Sequence, residues 1–266
     1  MRRSVTLLAL ALMWSVSVAR AQTVLDLGSY FSGAVGTQAQ AGVSAPVDLL
    51  FGSDSYIPPF YRGAPLPSPG SRVHFWAYAH FVDSRGAAIP ESSITYTWRR
   101  NGQVEGSLSG VGKSSLALPS PTLFGTDTIS VDAGAEDGAI YGSASLTISS
   151  VDPGVTLYQD HPLHGIEYYS ALGSQTSIPD LEMTFAAVPY FVAARSSDDP
   201  QLHFAWSVNG VSVAATSTNA NEITVNADNS NGLAAISLLI TSPVNALLEA
   251  QSAWNFLFSR TRIPIR

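Results

Sequence analysis

The sequence predicts an all-β protein made of two tandem β-sandwich domains, and three observations predict it. A strand-like nonapeptide occurs twice, as residues 94–102, Ile-Thr-Tyr-Thr-Trp-Arg-Arg-Asn-Gly, and as residues 202–210, Leu-His-Phe-Ala-Trp-Ser-Val-Asn-Gly. Both copies alternate a large apolar side chain with a smaller or polar one, so Ile94, Tyr96 and Trp98, and likewise Leu202, Phe204 and Trp206, share one face of an extended strand. Each copy ends at Asn-Gly, which tolerates the positive φ values of a tight hairpin. A spacing of 107 to 110 residues then persists outside these copies. Val47 and Leu49 match Val155 and Leu157, Phe75, Ala77, Phe81 and Val82 match Phe185, Ala187, Phe191 and Val192, and Ile129-Ser130-Val131 matches Ile236-Ser237-Leu238. Duplication of one unit of about 108 residues accounts for this.

In chain order, residues 1–21 read as a secretory signal, with Arg2 and Arg3 before an apolar stretch and Ala19-Arg20-Ala21 as a small-x-small cleavage site. The apolar run is shorter than the 18 or so residues of a membrane span, and no later stretch is long enough for one. Residues 22–45, rich in Gly, Ala, Ser and Gln, read as a mobile leader. The first domain is expected over 46–152, the second over 153–260, and a basic tail over 261–266. Strands are expected in the first domain near 47–51, 72–82, 94–100, after Asn101-Gly102, and near 115–118, 127–133 and 141–149. In the second they fall near 155–158, 181–193, 202–208, 211–214, 222–227, 234–240 and 251–259. Leu247, Leu248 and Ala250 would also suit a helix, but the alternation of Trp254, Phe256 and Phe258 favours a final strand. Trp98, Trp206, Phe81 and Phe191 are the expected structural core.

Composition narrows the function classes. The chain has 266 residues, 45% hydrophobic and 12% charged, with a net charge of −7. Loss of Arg2, Arg3 and Arg20 with the signal deepens that charge to −10, and an acidic surface repels nucleic acid and anionic lipid. There is no cysteine, which excludes disulfides and thiolate metal sites, so stability rests on core packing.

A Trp on the third strand, a hydrophobic partner strand about 15 residues earlier and an Asn-Gly hairpin just after resemble bacterial immunoglobulin-like domains, over residues 46–259. The Cys pair of antibody-type domains is missing, and the resemblance implies that Phe81 or Val82, with Val131, fills that layer. Polycystic-kidney-type domains carry Gly-Asp-Gly after the Trp, where this chain has Arg99-Arg100-Asn101-Gly102. Residues 56–70 and 109–113 resemble exported bacterial proteins with two such domains, a likeness that implies no activity.

Candidate chemistry is sparse. Gly110-Val111-Gly112-Lys113-Ser114 imitates a phosphate-binding loop, but Ser107 stands where its first Gly belongs and a strand follows where a helix is needed. His161 and His164 flank Pro162 without a visible third ligand. The pairs Glu136-Asp137 and Asp198-Asp199 and the run 226–232 lack the spacing of a calcium loop. No Gly-x-Ser-x-Gly elbow is present, and no catalytic, cofactor or metal residue is assigned. The stretch 54–70, with five prolines, is the candidate interaction loop, carried by Tyr56, Pro58, Pro59, Phe60, Tyr61 and Arg62. Phe60-Tyr61 recur as Tyr168-Tyr169, and a feature common to both repeats is expected to serve the fold.

These features predict a non-catalytic, extracytoplasmic structural or interaction protein (periplasmic, cell-surface or secreted), without a cofactor, whose partner is a protein of the cell envelope or surface. The alternative is a carbohydrate-binding module or small hydrolase, with Trp76, Tyr78 or the aromatics of 56–61 stacking on polysaccharide.

Overall fold

The computed structural model describes residues 42–258 apart from 123–124, 137, 180–181, 215–218 and 229. The expected signal, most of the expected leader and the expected basic tail lie outside the described residues. Those residues form eighteen strands and two single-turn 3-10 segments, Glu91–Ser93 and Gly106–Leu108. The protein is all-β, two immunoglobulin-like sandwiches in tandem.

The first sandwich holds β1 (Val43–Ser44), β2 (Val47–Ser53), β3 (Arg72–Ala79), β4 (Ile94–Arg100), β5 (Gln103–Val104), β6 (Gly110–Val111), β7 (Ser115–Pro119), β8 (Thr126–Ala135) and β9 (Ile140–Ser149). One sheet runs β1-β9-β8-β4-β5, with β6 also on β4, and faces a three-stranded sheet β2-β3-β7. The second sandwich holds β10 (Gly154–His161), β11 (Gly165–Ala171), β12 (Gln175–Ile178), β13 (Glu182–Tyr190), β14 (His203–Val208), β15 (Val211–Val213), β16 (Glu222–Asn226), β17 (Gly232–Ser242) and β18 (Asn245–Phe258). Its sheets run β11-β10-β13-β16 and β12-β18-β17-β14-β15. The final strand begins at Asn245, so the stretch that also suits a helix is strand, paired along β17.

The repeat shows itself bond by bond. Asn101 and Asn209 sit at φ 52° and 51°, each followed by a Gly near 80°, which is the backbone a two-residue hairpin demands. Each Asn is also tied to the next strand of its sheet. The Thr128 N–H donates to Asn101 Oδ1 at 2.9 Å and the Ala235 N–H to Asn209 Oδ1 at 2.9 Å. Trp98 and Trp206 are buried, and their indole N–H groups donate to the Lys113 and Ala220 carbonyls at 2.8 and 3.0 Å, so each polar edge is satisfied inside its core.

The two domains differ in where the parallel partner of the last strand comes from. In the first it is β1, ahead of β2 and inside the stretch expected to be leader. In the second it is β12, reached through the β10-β11 hairpin. The stretch of the first domain at the place of β11 and β12 is residues 54–70, which form no strand of their own sandwich.

Phe191 departs from the expectation. Phe81 is buried in the first core and Val82 is 51% exposed. At the matching positions the inward residue is Val192, while Phe191 is half-buried and outside the core cluster. Phe191 has φ 57°, which breaks the in-out alternation of β13 at its last step and exchanges the two side chains. The cause is a tertiary contact described below.

Candidate functional site at the domain junction

The proline-rich stretch 54–70 is anchored in the first sandwich at both ends and reaches the second in between. At its base the Arg72 N–H donates to Asp54 Oδ1 at 2.6 Å, the Ser55 hydroxyl to the Leu66 carbonyl at 2.6 Å, and the Ser120 hydroxyl to the Ser68 carbonyl at 2.6 Å. Pro58, Pro67, Ser68 and Pro69 are buried. Between these anchors Tyr56 pairs as an antiparallel bridge with Val192: its N–H donates to the Val192 carbonyl at 2.7 Å, and the Phe191 N–H donates to the Tyr56 carbonyl at 2.8 Å. This bridge holds Phe191 in its left-handed conformation. The Tyr56 ring packs against the second core.

Further bonds close the junction. Asn245, the first residue of β18, donates its amide to the Pro69 carbonyl at 2.8 Å, and the linker residue Val151 donates its N–H to the Pro67 carbonyl at 2.8 Å. Gly70 stands at φ 87°, and a Cβ there would lie 2.2 Å from the Asn245 amide nitrogen, so both conformation and closeness require glycine.

An aromatic layer fills the seam. Tyr61 meets Tyr190 and Phe191 edge-on at 6.0 and 5.7 Å, Phe60 lies 6.3 Å from Tyr168, and Tyr168 lies 5.5 Å from Tyr158. The Tyr158 and Tyr190 hydroxyls are hydrogen-bonded to each other. Burial, with the bond to Tyr158, raises the pKa of Tyr190; burial also raises those of Tyr56 and Tyr168. These three hydroxyls stay protonated through neutral pH and offer no nucleophile.

Beside this layer opens a cleft of about 510 Å³, lined by Phe60, Arg62, His164, Glu167, Tyr168 and Tyr169 among others. Phe60 is 86% exposed and Tyr169 83%, an unusual cost for rings of that size. Among the described lining residues the carboxylate is Glu167. Aromatic rings with one cation, one anion and one imidazole suit recognition.

Of the residues singled out from sequence, Tyr56 and Tyr61 thus face the junction, Phe60 and Arg62 line the cleft, Pro58 is buried and its carbonyl accepts the Tyr61 N–H, and Pro59 is exposed. Tyr158, Tyr190, Asn245, His164 and Glu167 join the site from the second domain without having been singled out for it. The Tyr168-Tyr169 pair carried the one usable signal, as the repeat of Phe60-Tyr61.

The other candidates fall elsewhere. Lys113 donates to the Ser107 carbonyl at 2.6 Å in a turn between β6 and β7. His161 and His164 stack at 4.7 Å, and among the described residues no three His, Asp or Glu side chains converge. Asp199 accepts N–H bonds from Arg195 and Gln201 at 2.8 and 2.9 Å, which hold its pKa below the usual carboxylate value. Arg99 and Arg100 pair with Asp132 and Asp127.

No protein-family model and no curated protein matches the chain. Solved structures show remote likeness. Three N-terminal domains of the bacteriophage RB49 highly immunogenic outer capsid protein match over 80% of this chain and 59% of that one, at 13% identity and a TM-score of 0.40. The chain therefore spans less than two thirds of that structure. Sidekick-1 immunoglobulin domains 1–4 match over 78% and 74%, at 11% identity and 0.25. The central fibronectin-III array of RIM-binding protein matches over 73% and 70%, at 10% and 0.25. At such scores the sandwich architecture stands on this chain's own strand order and cores.

Proposed function

We propose that the protein is a non-catalytic, exported interaction module in which two sandwiches are locked at a fixed angle and present the junction cleft to a protein partner of the cell envelope or surface. The observation that carries this is the crossing of residues 54–70 to the end of β13. Its bridge, its amide bond to Asn245 and its aromatic layer restrain a junction that a short linker would otherwise leave hinged. A fixed junction keeps Phe60 and Arg62 of one domain beside His164, Glu167 and Tyr169 of the other, so the recognition surface exists only in the tandem. Preorganisation of this kind lowers the ordering cost of binding. Exposed aromatics around one arginine give the composition of a binding hot spot.

The test is site-directed photo-crosslinking in the cells that make the protein. A photoreactive residue at Tyr169 is expected to yield one discrete protein adduct in the envelope or surface fraction, weakened by Arg62→Ala, while the same residue at exposed Val211 on β15 yields none. Adducts of equal yield at both positions, or none at Tyr169 in correctly exported protein, would overturn the reading.

A further inference from the structure

We infer that the outer face of the β2-β3-β7 sheet is a second binding site, taking a neutral polysaccharide that stacks on Trp76 and Tyr78. This goes beyond the junction reading and does not depend on it. Val73, Phe75 and Ala77 point into the first core, so His74, Trp76 and Tyr78 stand on the opposite face of β3. Register places Asp48 beside Tyr78, Leu50 beside Trp76 and Gly52 beside His74, with Ser115 and Ala117 on the other flank. Leu50, Trp76 and Tyr78 remain 54%, 40% and 44% exposed.

The indole lies down on this face. Its Cζ3 and Cη2 atoms are 3.4 and 3.5 Å from where a Cβ of Gly52 would stand, and the His74 ring stacks on it at 6.0 Å with 19° between planes. Across the strands Leu50 and Ser115 flank Trp76 directly and Gly52 and Ala117 diagonally; of these four Leu50, itself 54% exposed, is the bulky one. A ring laid along the sheet, with 40% of its surface in water and the His74 ring against one side, still offers part of a π face. That is the surface on which the C–H face of a pyranose packs, whereas a protein anchor seeks a pocket to fill. Hydrogen-bonding groups sit at the rim: His80 Nε2 and Asp48 Oδ2 are 2.8 Å apart, both well exposed, in reach of sugar hydroxyls together with the Tyr78 hydroxyl.

The fold itself does not ask for these aromatics. In the second sandwich the positions matching Trp76 and Tyr78 are Ala186 and Val188, both buried on the side where Tyr158 and Tyr190 lie. Domain 1 therefore keeps two large rings in water where its twin has small, covered residues. The net charge of −7 disfavours anionic glycans and leaves neutral ones as the match.

The test is affinity electrophoresis of the full chain in gels containing hydroxyethylcellulose, xylan or galactomannan, with polygalacturonate as the charged control. Retardation by at least one neutral polymer is expected. Trp76→Ala should weaken it about tenfold, with Tyr78→Ala intermediate and the junction variant Tyr169→Ala unchanged. Near-UV circular dichroism and Tm of each variant establish that it is folded, and Trp76→Phe, which keeps a ring, is expected to retain partial binding. Absence of retardation by all three neutral polymers, or retardation that survives Trp76→Ala, would overturn the inference. Loss through Tyr169→Ala alone would assign glycan binding to the junction and sink both this site and the protein-partner reading.

Discussion

At the scale of single residues, the twin asparagines carry a measurable load. Asn101 and Asn209 each adopt positive φ and each accept an N–H from the neighbouring strand. Replacement of either by alanine is expected to cost about 1 to 2 kcal/mol in urea melts, from a strained backbone and a lost hydrogen bond. Replacement by glycine, which relieves the backbone strain, should cost less, although at position 101 it also removes the amide bond to Asp127 Oδ1 at 2.7 Å. Asp199 gives a pH-dependent counterpart. Its folded pKa is lowered by two backbone donors, so its contribution is present above the unfolded value of about 3.9 and is lost as pH falls through the folded value. Asp199→Asn is expected to destabilise by about 1 kcal/mol at pH 6 and by progressively less as the medium is acidified below pH 4, a convergence that denaturant melts at pH 6 and pH 2.5 would reveal.

At the scale of elements, the same Phe-Val pair ends two equivalent strands and does opposite things. Phe81 continues the alternation of β3 into the core, whereas Phe191 is turned out at the end of β13 and Val192 turned in. Phe81→Ala should therefore cost about 3 to 5 kcal/mol, as a buried ring does, while Phe191→Ala should cost about 1 kcal/mol, since its ring is half-buried outside the core cluster and meets Tyr61 and Tyr190 edge-on. Equal costs in thermal melts would contradict this assignment. The contrast marks how far the sequence could be read. Strand alternation, Asn-Gly turns and the 108-residue period are local signals, and the sheets, hairpins and tryptophans follow from them. A positive φ at a phenylalanine is imposed by Tyr56, 135 positions away, and no local pattern records it. Likewise Phe60-Tyr61 and Tyr168-Tyr169 match in sequence but occupy a crossing loop and strand β11, where members of the two pairs touch each other. Duplication explains why both exist; divergence after it explains why they no longer do the same job.

At the scale of the molecule, residues 54–70 decide whether the protein behaves as two domains or one. The described residues form one compact unit with both sandwiches included. Three hydrogen bonds across the seam, each worth about 1 kcal/mol net, and two edge-on ring contacts worth about 0.5 kcal/mol or more each give a coupling near 4 kcal/mol. That is a large fraction of a domain's stability, so the wild-type chain is expected to melt in a single calorimetric transition. Tyr56→Pro removes the donor to Val192 and the ring on the second core; Tyr61→Ala removes the edge contacts. Combined with Asn245→Ala, they leave one seam bond of the three, from the Phe191 N–H to the carbonyl of residue 56, and the Phe60–Tyr168 contact, besides the linker bond between Val151 and Pro67. The triple variant should melt in two resolved transitions and, by NMR relaxation, show separate tumbling of the two sandwiches while each keeps its own backbone chemical shifts. Should it still melt once and tumble as one body, the lock would have to reside in the linker and these remaining contacts instead. The cleft shared by the two domains would then persist without the Tyr56 and Tyr61 rings and the Asn245 amide.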